Sequence, residues 1–238
     1  MTLYQAVRMT LVRLRRNHTY QELGADFGVT GQTAWNNVQP IVAFLADVLA
    51  CDTQEDLSAL VEGKICLVDG SLVVVCNWRP RTDLYSGQHR RYGVNIQVVV
   101  DLHGRVITIS RAFPGSWHDM RCFHEAGLAR LLNGAGGLIA DKGYQGSSAV
   151  TPVKKKPGAD LAEPEVALNR RLSTIRVAVE WAIAHLKNWR IPATRYRSDL
   201  SRIDTDIQAV AGLQKLNEAH AERRLTFDRI KKTEIVSI

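Results

Sequence analysis

The stretch Ile65-Cys66-Leu67-Val68-Asp69-Gly70 decides the fold class, because a short apolar run closed by an acid and a glycine is typical of a buried β-strand. The stretch Leu138-Ile139-Ala140-Asp141 has the same form. Between them the apolar pattern predicts strands over 94–101 and 106–113, with Gly104 supplying the turn. The sequence therefore predicts a sheet in which two strands end at an aspartate.

Predicted helices surround these strands. We expect one helix to begin at Trp117 or His118 and to end near Leu132, and the chain from Glu163 onward to be mainly helical. A fifth strand is predicted over 149–153. Antiparallel strands, a helix, a short strand and long closing helices together indicate an α/β domain with a mixed sheet flanked by helices.

The residues before the first strand have a helical pattern. Apolar positions predict a helix over 2–15, and a capping-box motif at 19–22 opens a second helix. Gly28 ends that helix, and Thr30 or Gly31 begins a third. Two short helices joined by a glycine-containing turn form a helix-turn-helix unit.

In a helix-turn-helix, the second helix enters the major groove of DNA. Here residues 30–37 begin that helix, so we expect them to face the groove. The alternative is an ordinary helical hairpin that packs against another part of the protein. Several arginines with no acid before Glu22 favour phosphate contacts for the first helix. The side chains expected to reach the bases are Gln32, Thr33 and Asn36.

An acidic stretch divides the chain. From Asp47 to Glu62 there are five acids and no lysine or arginine, so a phosphate backbone would repel this stretch. We therefore predict a small all-α helix-turn-helix domain over 1–50, an acidic connector over 51–63, an α/β domain over 64–220 and a C-terminal tail over 221–238.

The composition restricts the class of protein. A hydrophobic content of 45%, a net charge of +7 and a pI of about 9.4 fit a folded chain with a polyanionic partner. The four cysteines show no CxxC spacing, so nothing supports a zinc site. No secretory signal is visible, and the longest apolar run, around Leu72–Cys76, is too short to span a bilayer. We expect an intracellular protein with no membrane partner.

Asp69 and Asp141 are the first candidates for chemistry. Acids at the ends of neighbouring strands project from one edge of a sheet, where active sites of α/β domains are common. Two like charges held side by side need a cation, and carboxylate oxygens suit a hard divalent ion such as Mg²⁺. The alternative is that each aspartate only begins a turn, since Asp-Gly and Asp-x-Gly are common turn sequences.

Glu180 is the third candidate. It lies in a predicted helix over 172–189, whose apolar stripe includes Ile175, and it shares one edge of that helix with Arg176 and Lys187. Glu180 is the one acid among seven basic residues over 170–197, which suits a metal ligand flanked by phosphate contacts. The alternative is a surface Arg–Glu pair that contributes about 0.3–0.5 kcal/mol.

At these residues the sequence resembles the DDE superfamily of transposases, in the bacterial insertion-sequence branch related to PIF/Harbinger elements. The resemblance covers roughly residues 15–215. Where the family often has Tyr, three residues before the last arginine, this chain has Ser173. The matching stretches are Val68-Asp69-Gly70-Ser71, Tyr92-Gly93-Val94-Asn95-Ile96-Gln97, Gly115-Ser116-Trp117-His118-Asp119, Ala140-Asp141-Lys142-Gly143-Tyr144 and Arg176-Val177-Ala178-Val179-Glu180 with Lys187.

The resemblance implies a ribonuclease-H-like fold with Asp69, Asp141 and Glu180 as catalytic acids and ligands of two divalent ions, Mg²⁺ or Mn²⁺. It implies cleavage of double-stranded DNA at transposon ends and strand transfer to target DNA, by a homodimer or a higher assembly on DNA. A bacterial enzyme of this kind would be cytoplasmic and associated with the nucleoid. Two alternatives stay open: a domesticated transposase that acts as a DNA-binding protein, and a ribonuclease-H-like nuclease without strand transfer.

Asp119 is an alternative second acid, because it belongs to one of the matching motifs. Its position where a helix begins also suits an N-terminal cap or a first-turn acid, and we prefer Asp141. We expect His118 to be structural. The residues expected to contact DNA around the acids are Arg79, Arg90, Arg91, Lys155, Arg176, Lys187 and Arg190.

Overall fold

The N-terminal region forms the predicted helix-turn-helix. The computed structural model of the chain describes residues 1–49, 54–76 and 81–236, without the side chains of residues 54 and 222–236. Both predicted helix signals are confirmed: Thr19 and Glu22 form a reciprocal capping box, and Gly28 ends the helix at φ 67°. The helices here are α1 (Leu3–Arg16), α2 (Tyr20–Phe27), α3 (Gly31–Leu49) and α4 (Gln54–Val61).

The mixed sheet is also confirmed. Its strands are β1 (Ile65–Val74), β2 (Tyr85–Ser86), β3 (Arg91–Asp101), β4 (Val106–Ile109), β5 (Phe113–Pro114) and β6 (Gly137–Ile139). β1 lies between β3, to which it is antiparallel, and β6, to which it is parallel. The other three strands pair with β3. The predicted strand over 149–153 is wrong: the described chain has only a single parallel bridge there, between Val150 and Ile139.

The predicted end of the first strand at Asp69-Gly70 is wrong. β1 continues to Val74, and Gly70 pairs with Gln97 within it. Gly70 is needed for space and not for a turn: a Cβ atom at this position would lie 2.1 Å from Oδ1 of Asp119. The predicted strand over 106–113 is in turn interrupted, because the Ser110 hydroxyl accepts a hydrogen bond from the backbone of β3 at Gln97.

The remaining helices are α5 (Asp119–Glu125), α6 (Leu128–Leu131), α7 (Glu163–Leu186), α8 (Arg190–Ala193) and α9 (Ile203–Val236). The single helix predicted up to Leu132 is divided, because Gly127 adopts φ +71° between α5 and α6. The C-terminal tail predicted over 221–238 continues α9 as far as Val236. No helix among the described residues is long and apolar enough to cross a membrane.

Two hydrophobic cores cover the two faces of the sheet. Cys66 and Val68 face a core formed with α4, α5 and α6, whereas Leu67 faces the core that contains α7, α9 and the N-terminal helices. Val61, in the predicted acidic connector, is fully buried in the first of these cores. The division of the chain into four regions stays a prediction.

A buried polar network joins α1 to the rest of the protein. Arg13 is 2% exposed, donates a hydrogen bond to Asn17 and lies 3.9 Å from the carboxylate of Asp206 in α9. Asn17 in turn donates to the backbone carbonyl of Arg195 at 2.8 Å. The α3 end at Leu49 packs against Gly212 of α9. The helix-turn-helix is therefore held against the sheet domain.

Candidate active site

Asp69 lies in the middle of the central strand and is largely buried. The pKa of Asp69 is raised to about 6: loss of hydration is the main cause, the nearby Asp141 and Asp119 carboxylates act in the same direction, and Arg176 opposes them. Nη2 of Arg176 lies 3.6 Å from Oδ2 of Asp69. Asp69 is thus an acid among like charges, with one arginine as its ion-pair partner in the described chain.

The parallel pairing of β1 and β6 places Asp141 beside Asp69. Leu67 is the register partner of Ile139, and each aspartate follows two residues later on its own chain segment. Because side chains alternate along a strand, Asp69 faces the same side as Leu67, towards α7. Asp141 also begins the predicted turn: Oδ1 accepts from the backbone N–H of Gly143 at 2.7 Å. Asp141 can therefore begin a turn and still lie beside Asp69.

Asp119 belongs to the other face of the sheet. Its carboxylate lies against Gly70, the residue of β1 that points away from α7. Oδ1 of Asp119 accepts from the side-chain amides of Asn95 at 2.8 Å and Gln97 at 3.4 Å. The hydroxyl of Tyr144 donates to the other end of Gln97 at 2.5 Å. This polar network therefore lies next to Gly70, the neighbour of Asp69 in β1.

Asp119 is the first-turn acid of α5, as one of the two expectations had it, and not the N-cap residue. The N-cap residue of α5 is His118, whose side chain makes no capping hydrogen bond, and Asp119 is the first residue within the helix. The Asp119 carboxylate is directed to the β3 amides, because Asn95 and Gln97 lie beneath it in the sheet. Asn95, Gln97 and Tyr144 were within the matching stretches of sequence, but nothing in the pattern indicated that they hold Asp119.

Glu180 on α7 and Lys187, the residue that caps the end of α7, line a cavity of about 580 Å³ together with Asp69. Burial of the ammonium group lowers the pKa of Lys187, and the Asp69 carboxylate opposes that shift. The alternative was a surface ion pair between Arg176 and Glu180. Among the described residues, Arg176 instead pairs with Asp69. The apolar stripe is confirmed except at Ile175, which is 37% exposed. We name the cavity the carboxylate cavity, and it is lined by Asp69, Gly70, Ser71, Leu72, Val74, His89, Arg91, Glu180, Ile183, Lys187 and Ala193.

Two family models match the chain. Residues 68–215, which contain all of these acids, match the "DDE superfamily endonuclease" model, and residues 1–51 match the "Helix-turn-helix of DDE superfamily endonuclease" model. The chain belongs to the DDE superfamily of endonucleases. The predicted family, the ribonuclease-H-like fold class and the enzyme class, a metal-dependent DNA endonuclease of the transposase type, are therefore confirmed at the level of the family.

Two relatives of this DDE endonuclease carry transposase names. A "Putative transposase for insertion sequence element IS112" of Streptomyces albus G is 30% identical over 179 residues, which are 74% of this chain and 66% of the relative. A "Probable transposase for insertion sequence element IS702" of Microchaete diplosiphon is 26% identical over 230 residues, which are 87% of this chain and 78% of the relative. The assignment to a PIF/Harbinger-related branch stays a prediction.

The DDE endonuclease family works with divalent metal, and the acids offer the oxygen ligands that such an ion prefers. Within the described residues, no group of three His, Cys, Asp or Glu side chains stands close enough to hold a metal ion. The donor chemistry nevertheless fits: the desolvated carboxylate of Asp69, with like charges next to it, would be stabilised by a cation. The convergence of Asp69, Asp141 and Glu180 on shared ions stays a prediction.

The predicted DNA contacts of this DDE endonuclease fall in three places. Arg91 lines the carboxylate cavity, Arg90 precedes it at φ +52°, and Arg190 is exposed at the start of α8. Lys155 lies in an exposed loop, where it pairs with Asp160 at 2.7 Å. Arg79 lies outside the described residues. On α3, an exposed hydrogen bond links Gln32 to Asn36 at 3.0 Å, and Thr33 bonds to Thr30.

Proposed function

We propose that this protein is a transposase that cleaves phosphodiesters at the ends of a DNA element and joins the freed 3′ ends to target DNA. One observation carries the proposal: the largely buried Asp69 carboxylate, with its raised pKa, lies between like charges and opens into a cavity shared with Glu180 and Lys187. Such a cluster is costly unless cations occupy it. Asp69, Asp141 and Glu180 would be the ligands.

Two Mg²⁺ ions, or Mn²⁺ in their place, would lower the pKa of the attacking water and stabilise the charge of the leaving 3′ oxygen. The protein's own side chains do the rest. Lys187 carries its charge at the cavity wall, where it would bind the scissile phosphate. Arg176 forms an ion pair with the Asp69 carboxylate and so balances part of its charge. When the 3′ hydroxyl takes the place of water, the same cavity performs strand transfer.

Sheet geometry supports Asp141 over Asp119 as the second acid. Asp69 faces α7, on which Glu180 lies, and Asp141 occupies the matching position after β6. Asp119 approaches from the Gly70 side of the sheet, where two amides already engage its Oδ1, and only its Oδ2 is directed towards Gly143 beside Asp141. Asp119 therefore positions the strand under Asp69 in this proposal, and Asp141 binds metal.

DNA recognition belongs to the N-terminal helices in this proposal. Gln32, Thr33 and Asn36 lie at the start of α3, where side chains of a recognition helix reach base edges. The cationic residues of the sheet domain would contact the phosphates of double-stranded DNA at the transposon ends and at the target. Cutting two ends together requires a homodimer or a higher assembly on DNA, and we place the protein at the bacterial nucleoid.

The test is a nicking assay on duplexes that contain the element's end. Wild-type protein should nick them with Mg²⁺ or Mn²⁺, and Asp69→Asn, Asp141→Asn and Glu180→Gln should abolish nicking while binding the end as well as wild type does. A matched control is Glu125→Gln, because Glu125 is an exposed acid at the end of α5 that does not line the carboxylate cavity. If the wild type binds ends and never nicks them, the protein acts as a DNA-binding protein only.

A second assay separates transposase from nuclease. A duplex with a pre-cut 3′ hydroxyl end is offered together with supercoiled target DNA, and joined products are counted. A transposase joins them and a nuclease without strand transfer does not. Loss of joining in the Glu180→Gln variant would place both reactions in one cavity.

A further inference from the structure

A second cavity continues the carboxylate cavity along the sheet. Its volume is about 330 Å³, and it shares Val74 and Arg91 with the larger cavity. We name it the arginine cleft, after the three arginines in its wall. It is lined by Val74, Val75, Arg90, Arg91, Tyr92 and Arg195.

The fold fixes both sides of the arginine cleft. On one side, the backbone N–H of Tyr196 donates to the carbonyl of Val74 at 2.8 Å, which holds the neighbouring Arg195 beside the end of β1. Tyr196 is itself anchored, because it is 1% exposed and its hydroxyl donates to Asp206 at 2.9 Å. On the other side, β2 pairs with the start of β3, where Arg91 stands.

The charge of the cleft is uncompensated. Arg90, Arg91 and Arg195 are exposed, and none of the three forms an ion pair with an acid in the part of the chain that the structure describes. Nearby arginines behave differently: Arg176 pairs with Asp69, and Arg197 pairs with Glu22 at 3.2 Å. Three unpaired guanidinium groups around one cavity are suited to a phosphodiester, which each can bind through two hydrogen bonds.

We propose that the arginine cleft binds the phosphate backbone of the DNA strand whose scissile phosphate lies in the carboxylate cavity, with Arg195 as a contact residue. This rests on the proposed function. Val74 lies five residues beyond Asp69 on β1, which is roughly 16 Å of strand. One strand of B-form DNA has a phosphate about every 3.4 Å along the axis, so a span of roughly 16 Å places the contacted phosphate within about five positions of the cut.

The experiment is a scan with methylphosphonates, which remove the charge of one phosphate at a time. Binding of each end-containing duplex is measured without divalent metal, for wild type and for Arg195→Gln. In wild type, a neutral linkage at one position within about five of the cut should weaken binding about tenfold. In Arg195→Gln that position should lose its effect, while other positions keep theirs. The slope of binding against salt should also fall by about one.

Two further variants separate a specific contact of Arg195 from a general loss of positive charge. Arg130→Gln removes an equally exposed charge on α6, which lines neither cavity, and should keep the full wild-type pattern. Arg195→Lys should keep the salt slope and lose part of the affinity, since lysine has no planar fork. The proposal is wrong if Arg195→Gln keeps the full wild-type pattern, as Arg130→Gln should, or if it weakens binding while every neutral linkage keeps its effect.

Binding and cleavage are read separately. If the methylphosphonate pattern changes as expected and no nicking occurs with Mg²⁺, the arginine cleft stands and the proposed catalytic function fails. If nicking occurs and Arg195→Gln leaves the pattern unchanged, the cleft fails and the catalytic function stands.

Discussion

Gly70 gives the sharpest test of the site's architecture, through the substitution Gly70→Ala. A Cβ atom there would lie 2.1 Å from Oδ1 and 2.7 Å from Cγ of Asp119, where real Cβ contacts begin at 3.0 Å. The Asp119 carboxylate must therefore move by about 0.9 Å. That movement breaks its hydrogen bonds to Asn95 and Gln97, and each hydrogen bond lost to a charged group costs about 1.5–3 kcal/mol.

We therefore expect Gly70→Ala to lower the free energy of unfolding by about 2–4 kcal/mol, measured by urea denaturation. The matched control is Gly137→Ala in β6, where an added Cβ meets only Ile65 at an ordinary 3.7 Å. It should change the free energy of unfolding by less than about 0.5 kcal/mol.

A double-mutant cycle identifies the cause. Asp119→Gly removes the obstructing carboxylate, so Gly70→Ala should cost almost nothing further in that background, which gives a coupling energy of about 2–3 kcal/mol. If Gly70→Ala is as stable as wild type, or if its cost is unchanged in the Asp119→Gly background, the contact between these two residues does not explain the glycine.

Three further predictions follow from the site and the N-terminal helices. The pKa of Asp69 is raised from 3.8 to about 6, so the folded state holds the proton of this carboxyl more tightly than the unfolded state does. Without metal, the contribution of Asp69 to the free energy of unfolding therefore falls by roughly 2–3 kcal/mol as pH rises from about 4 to 6. Denaturation of wild type and Asp69→Asn at several pH values should show this decrease in wild type only; parallel profiles would contradict it. Asp141→Asn should abolish Mg²⁺-dependent nicking, whereas Asp119→Asn should mainly lower stability, by about 1–2 kcal/mol, since an amide is a poorer acceptor for the Asn95 and Gln97 donors. A stable Asp119→Asn variant that cannot nick, beside an active Asp141→Asn, would reverse the assignment of the second acid. Substituting Gln32 or Asn36 should weaken binding to the proper end by about 1–3 kcal/mol and leave scrambled DNA unaffected, as titrations on both duplexes would measure. Equal losses on both would mean that α3 does not distinguish sequences.

The features that the sequence predicted well are local. A capping box and a helix-ending glycine act within one turn of chain, so Thr19, Glu22 and Gly28 are where the pattern indicated. The buried apolar run at the start of β1 and the stripe of α7 likewise depend on near neighbours in sequence.

The errors arise from contacts between distant parts of the chain. Asp69-Gly70 has the sequence of a turn, and only the carboxylate of Asp119 from another element explains why glycine is required inside a strand. The network of Asn95, Gln97 and Tyr144 was invisible for the same reason, since none of these residues has a spacing that indicates the others. Gly127 divides a predicted helix through a backbone conformation that an apolar pattern does not record.

The attachment of α1 to α9 has a consequence for DNA geometry. Arg13, Asn17 and Asp206 join the two by buried polar contacts, and Leu49 of α3 packs on Gly212. These contacts hold the helix that would read the DNA at one distance from the cavity that would cut it. Whether a protomer cuts its own end or its partner's, the number of base pairs between recognised sequence and cut is fixed. Adding half a helical turn of DNA between them would carry the scissile bond to the wrong side of the duplex.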